Sequence, residues 1–391
     1  MIKFRPLLAV LACGAVFTAG CGSSSKSETG ATAAAAAATT AAVAVTEAAA
    51  TGDAGLAAAK ANVAKYMKAD GGIGVTIPLT KKADKKTIAW LECDVPTCAA
   101  YITPGFKAAT TAIGWDLKII PMKSTDPGPA FQTAIDAKVD YIASTGLAIA
   151  QYKPQLDAAN AAGIKVLSCY GTDDPSPTTI QMQCGDETFV QKTGPVMADW
   201  AINDSAGKAN VLIVSIPDFP VLVSETDAFK KQMAADCASC KVVELNMTLD
   251  DLIGGKVAAA VASKIQANPD VNYVFNSFGD LPVGVTAALK AAGLDKKVKV
   301  YGQDFSTVDL QEIVDGTMGA WSADPKGYAG WLMVDAAARL SVGMKLDEER
   351  AAAALPTIIV DTPAFAKEII ATNGDWMPPG SADAFKKLWL V

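Results

Sequence analysis

The chain has 391 residues, 51% of them hydrophobic, with 34 basic and 41 acidic side chains and no histidine. The missing imidazole excludes serine or cysteine triads with a His base and zinc sites built on His. A net charge of −7 argues against nucleic acid or an anionic membrane surface as partner.

Lys3 and Arg5 precede an apolar run from Leu7 to Phe17 that is too short to cross a bilayer, so residues 1–20 read as a signal peptide. Thr18-Ala19-Gly20-Cys21 resembles a bacterial lipobox, which predicts cleavage before Cys21 and a lipid on its thiol. Ordinary cleavage nearby, giving a secreted protein, is the alternative. Removing residues 1–20 takes away Lys3 and Arg5 and leaves 32 basic against 41 acidic groups, a net charge of −9. Arg339 and Arg350 are then the remaining arginines, so bidentate clamping of an anion is scarcely available.

Residues 21–60 predict an Ala/Thr/Ser-rich tether that runs into the start of a helix, and residues 61–86 a helical and extended lead-in. About 300 residues follow, enough for two lobes of ordinary domain size. From Thr87 apolar strands alternate with helices: "TIAWLE", "DLKIIP", "VDYIAST", "IKVLSC" and "IQMQCGD", each pair separated by a helical or turn segment. After Asp186 the pattern begins again with "NVLIVSI", "KVVELNM", "NYVFNSF" and "KVKVYGQD". Short apolar strands spaced by helices predict parallel sheets covered on both faces, and two series of the same order predict two doubly wound lobes.

Six cysteines fall in this region as three locally spaced pairs: Cys93 with Cys98, Cys169 with Cys184, and Cys237 with Cys240. In an oxidising compartment such pairs suggest short-loop disulfides, although spacing alone leaves the connectivity open. Cys237-Ala-Ser-Cys240 also has the spacing of a redox motif, but it follows a helix instead of opening one, which favours a structural bridge or free thiols.

The two series share an internal repeat. Residues 141–173 lie over 273–304: each has a strand ending near Ser and Gly, a helix ending in Ala-Ala-Gly, and a strand closing on Tyr-Gly-x-Asp. That alignment sets Asp173 opposite Asp304 at the carboxyl ends of equivalent strands, where ligands bind in open α/β sheets. A helix cap or turn role is the bland reading of both, and the stronger one for Asp173, which leads into "DPSP".

The order of elements, "AAGIKVLS" after "VDYIAS", the "NSFGD" turn and "YGQD" resemble the type I periplasmic binding proteins, the ribose-binding and related solute receptors of ABC importers. The resemblance covers roughly residues 87–360 and implies two doubly wound lobes joined by a three-strand hinge, with crossings near Asp186, Ser322 and Gly343. It implies a first lobe of residues 87–185 plus 323–343 and a second of 186–322 plus 344–391. By residue-wise match it implies Asp304 as an acceptor for ligand hydroxyls, with Asn276 and Asp280 in the adjacent turn. Asp94 and Tyr101 stand where the family often has paired phenylalanines, and Thr145 stands in a third-strand turn that lacks the family's Asp. The family's Arg and its hinge Gln have no counterpart. Apolar groups stand in their place: Leu147, Phe219, Phe278, Phe305 and Trp321 fall at or beside predicted strand ends, where rings pack in the core or cover a ligand face.

Asp94, Tyr101, Thr145, Phe219, Asn276, Phe278, Asp280, Asp304 and Trp321 are therefore the candidate ligand-binding set, with no catalytic residue, metal or cofactor. The resemblance implies a monomeric lipoprotein, held at the outer face of the cell membrane through Cys21, that passes a sugar or another neutral or cationic solute, aromatic ones included, to an ABC permease. An exported sensor using the same closure is the alternative. An enzyme on this scaffold is a remote one, because a P-loop, a dinucleotide fingerprint and a nucleophile elbow are all missing.

Overall fold

The computed structural model describes residues 52–68, 73–346 and 355–391. The signal segment, Cys21, most of the tether and Arg350 lie outside them. The first lobe carries β1 (Thr87–Glu92), β2 (Asp116–Pro121), β3 (Tyr141–Thr145), β4 (Lys165–Cys169) and β5 (Ile180–Cys184), all parallel, in the order β2-β1-β3-β4-β5. The second carries β6 (Asn210–Ser215), β7 (Lys241–Asn246), β8 (Tyr273–Asn276), β9 (Lys299–Gln303), β10 (Met318–Ala323) and β11 (Ile358–Val360). Its order is β7-β6-β8-β9-β10-β11, the same winding with an antiparallel edge strand added. The central strands β3 and β8 are buried along their whole length, whereas the edge strands β2 and β7 are largely open to solvent. Helices on both faces thus select continuous apolar runs at the centre of each sheet.

The helices, in chain order, are α1 (Gly52–Ala64), α2 (Thr103–Ile113), α3 (Gly128–Asp136), α4 (Lys153–Ala161), α5 (Glu187–Asp204), α6 (Pro220–Asp236) and α7 (Leu249–Ile253). They continue with α8 (Val257–Ala267), α9 (Val285–Ala291), α10 (Thr307–Val314), α11 (Lys326–Ser341), α12 (Pro363–Ile370) and α13 (Ser381–Trp389). A π turn, Cys98–Ile102, leads into α2. The cysteines form the bridges Cys93–Cys98, Cys169–Cys184 and Cys237–Cys240.

The chain passes between lobes after β5, after β10 and after α11, and α11 packs on α2 and β4 of the first lobe. Two further passages depart from the expected boundaries. Helix α1 packs on α5 and α6 of the second lobe, with Asn62 donating to Asp199 at 2.7 Å, while the segment from Ile73 onward lies against α11. At the other end α12 packs on α10 of the second lobe, but α13 returns to α2 and α11 of the first, so residues 344–391 are shared between lobes. The physical reason is the apolar face of α13: Phe385 and Trp389 stack on Trp331 with ring centroids 5.7 and 5.4 Å away.

Arg339 lies in this first-lobe core and not in the cleft. It is 1% exposed, donates to Asp335 at 2.9 Å and to the carbonyl of Ile77 at 2.9 Å, while Trp389 donates to the other Asp335 oxygen at 2.9 Å. One ion pair thereby ties α11, α13 and the lead-in together. Arg339→Ala leaves Asp335 charged and buried, and it is expected to cost about 3–5 kcal/mol in denaturant unfolding, with the unfolding slope unchanged.

Candidate functional site

The repeat has a register that the sequence alignment misses. Tyr141 pairs with Lys165 across β3 and β4, and Tyr273 pairs with Lys299 across β8 and β9. Counting along from the two lysines, Cys169 corresponds to Gln303, and Tyr170 to Asp304. Both Tyr170 and Asp304 are in the left-handed region, at φ 58° and 68°, and both donate their main-chain N–H to the end of the next strand, at Cys184 O (2.6 Å) and Ser322 O (3.0 Å). The partner of Asp304 is therefore Tyr170. Asp173 lies three residues further on and accepts the N–H of Ile149 at 2.7 Å, a turn role.

The carboxyl ends of the two sheets face each other around a cavity of about 80 Å3. The first lobe contributes Val95, Thr97 and Ile102 with the Cys93–Cys98 bridge, then Ser124, Thr145-Gly146 and Tyr170. The second contributes Val190, Phe219, Val221, Leu222, Ser277, Phe278, Gln303 and Asp304, and Asp324 and Lys326 close the cavity at the crossing between lobes.

Direct bonds join the lobes beside the cavity. Thr97 donates to Asp280 through its hydroxyl (3.1 Å) and its N–H (3.4 Å). The hydroxyl of Tyr101 accepts from Thr307 N at 2.8 Å and lies 3.1 Å from Thr307 Oγ1. Lys326, at the start of α11, forms a buried ion pair with Asp304 at the end of β9. Its ammonium also donates to Phe305 O at 3.2 Å and sits 5.1 Å from the centre of the Tyr101 ring.

Burial opposes the charge on Lys326, but Asp304, Asp324 and Asp280 outweigh it and hold its pKa above the ordinary lysine value. Burial, then the neighbouring Asp304, push Asp324 well above the usual carboxylate range, against the pull of Lys326 and of the Tyr170 hydroxyl that donates to it at 3.0 Å. Glu225 accepts from Thr193 at 3.2 Å and lies behind Gln303, whose amide donates to it once turned with its nitrogen towards the carboxylate.

Of the candidate residues, Thr145, Phe219, Phe278 and Asp304 line the cavity. Asp280 and Tyr101 join the lobes instead, and Asp94 is exposed and orients Ser124, accepting its hydroxyl at 2.7 Å and its N–H at 3.2 Å. Asn276 is wholly buried and donates to Tyr301 O at 3.2 Å, while Trp321 is wholly buried with its ring against Gly302, so neither reaches the cavity. Leu147 and Phe305 are core residues. Tyr170, Gln303, Asp324 and Lys326 were missed. The signal for the last two was present in "SADPK", charges set just past an apolar strand.

Residues 99–345 match the family model of a periplasmic binding protein domain. The chain belongs to the periplasmic binding proteins. Their family is one of solute-binding proteins and not of enzymes. No curated protein matches the sequence significantly. Among solved structures, a solute-binding protein from Agrobacterium vitis bound with alpha-D-tagatopyranose is 19% identical, with a TM-score of 0.64, over 75% of this chain and 100% of that one. The 5-methylthioribose transporter solute-binding protein from Thermotoga lettingae is 17% identical (TM-score 0.63; 80% and 99% covered). A glucose-galactose binding protein from Geobacillus stearothermophilus is 19% identical (TM-score 0.60; 71% and 98% covered). At these identities the likeness is one of fold, and it includes the two-lobed periplasmic binding protein architecture.

Two outcomes follow from the electrostatics of this binding protein. Asp304→Ala leaves the Lys326 ammonium buried without its nearest carboxylate, so stability is expected to fall by about 3 kcal/mol in chemical denaturation, and Asp304→Ala with Lys326→Met to recover most of it. Asp309, capped onto Ser306 in α10 and 1% exposed, is pushed up to about 7, chiefly by burial, from its ordinary value of 3.8. A raised carboxyl makes the folded state bind more protons, so its stabilisation is complete below pH 4 and lost as pH rises to 7. Between those limits the unfolding free energy is expected to fall by up to about 1.4 kcal/mol per pH unit for this group, and Asp309→Asn to flatten that slope.

Proposed function

We propose that this chain is an extracytoplasmic receptor that captures a small solute between its lobes and delivers it to an ABC importer in the membrane. The observation that carries the reading is the cavity walled by strand ends of both lobes and flanked by hydrogen bonds made directly from one lobe to the other. A solute that touches both walls favours the closed arrangement, and the closed arrangement presents a surface composed of both lobes to a permease. Solved structures of the same fold hold tagatose, 5-methylthioribose or myo-inositol, which supports a small molecule as the solute. Thr145, Ser124, Ser277 and Tyr170 offer hydroxyls to it, and Phe219 and Phe278, with ring centres 6.3 Å apart, offer faces to an apolar side. The lipobox-like Cys21 would hold a monomeric receptor close to its permease. Among the described residues no helix is long and apolar enough to cross a membrane.

The test is small-angle scattering and tryptophan fluorescence with pooled sugars, polyols and amines. One pool is expected to compact the protein and saturate, and failure of every pool to do either overturns the receptor reading. Thr97→Val, which removes one bond between lobes, is expected to weaken that binding by up to about tenfold, with the melting temperature within a few degrees of the parent.

A further inference from the structure

The charged groups on the cavity wall do not balance. Asp304, Asp324 and Lys326 line it, and of these Lys326 is fully engaged by Asp304, by the carbonyl of Phe305 and by the ring of Tyr101. Asp304 takes the direct ion pair, and Lys326 acts on Asp324 only from further off. Asp324 remains. It is 7% exposed, and its Oδ1 accepts from Tyr170 at 3.0 Å, while its Oδ2 receives no hydrogen bond among the described residues. Among the described residues no second cation lines the cavity. Asp280 and Asp375 stand close enough to act on Lys326 and add negative potential without meeting the solute, Asp280 being occupied by Thr97.

A buried carboxylate with an open oxygen that shares one ammonium with Asp304 needs either a proton or a further cation. What surrounds this one favours a cation with an apolar body. The remaining wall is largely aliphatic and aromatic, with Phe219 and Phe278 tilted at 46° to each other, and ring faces attract an ammonium once water is excluded. Resting on the receptor reading above, we propose that Asp324 is the counter-ion of the solute, which is a small monocation: an amine or quaternary ammonium carried on an apolar or partly hydroxylated body. In the empty cleft burial and the charge of Asp304 favour the protonated acid on Asp324. The arriving cation takes that proton's place, and the proton leaves to solvent.

The experiment exposes wild type and Asp324→Asn to a small-molecule extract of cells, removes unbound material, and identifies what each protein retains by mass spectrometry; the retained molecule is then titrated calorimetrically. The amide keeps the shape and hydrogen-bonding capacity of the side chain and removes only its charge. Wild type is expected to retain a molecule with one positive charge, and Asp324→Asn to bind it at least thirtyfold more weakly. Without solute, Asp324→Asn is expected to melt at or above the wild-type temperature, which separates lost binding from lost folding. A neutral or anionic molecule, or a cation held equally by both proteins, overturns the assignment of Asp324 but leaves the receptor reading standing. Retention of nothing by wild type overturns both.

Discussion

The structure depends on a charge that cannot be left alone. Lys326 opens a helix of the first lobe, Asp304 ends a strand of the second, and both are buried where the chain crosses between them. Withdrawing an ammonium from water costs several kcal/mol, and attraction to a carboxylate offsets that only when the geometry is held closely. The pair therefore fixes how the end of β9 meets the start of α11. The left-handed backbone of Asp304 follows from the same demand: Gly279 packs against the Asp304 carbonyl so tightly that a side chain there would collide with it. Around this point the Tyr101 ring covers the ammonium, and its hydroxyl carries the contact on to Thr307.

Much of this was legible in the residues, and unevenly so. Strand centres such as "YIAST" and "NVLIVS" are buried on both faces, and that demand leaves a continuous apolar run that cannot be mistaken for a surface strand. The winding of both sheets followed from the repeat. The equivalence of single residues did not, because the Tyr-Gly-x-Asp string recurs three residues out of step with the backbone. A chemical resemblance between strings is no constraint on hydrogen-bond register, whereas the pairing of Tyr141 with Lys165 and of Tyr273 with Lys299 is.

The candidate site was half legible for a related reason. Thr145 closes β3, and Phe219 and Phe278 lie in the turns after β6 and β8, so proximity to a strand end placed them. Asn276 and Trp321 lie within β8 and β10 with their side chains wholly buried, Asn276 against Tyr301 and Trp321 against Gly302. A lone lysine at a helix start has the pattern of surface charge, so its type and place alone do not mark Lys326 as a cavity group. Only the three-dimensional convergence of Asp304, Asp324 and Asp280 makes it a buried one.

The exchange of terminal helices has a mechanical meaning. Helix α1 belongs in sequence before the first lobe yet packs on the second, and α13 follows the second lobe yet packs on the first, with Leu79 N bonded to Leu388 O at 2.8 Å. Each passage is one more covalent strap across the cleft, and opening must be absorbed by backbone torsions in all of them at once. The more such connections the two lobes share, the fewer combinations of backbone torsions remain that can part them.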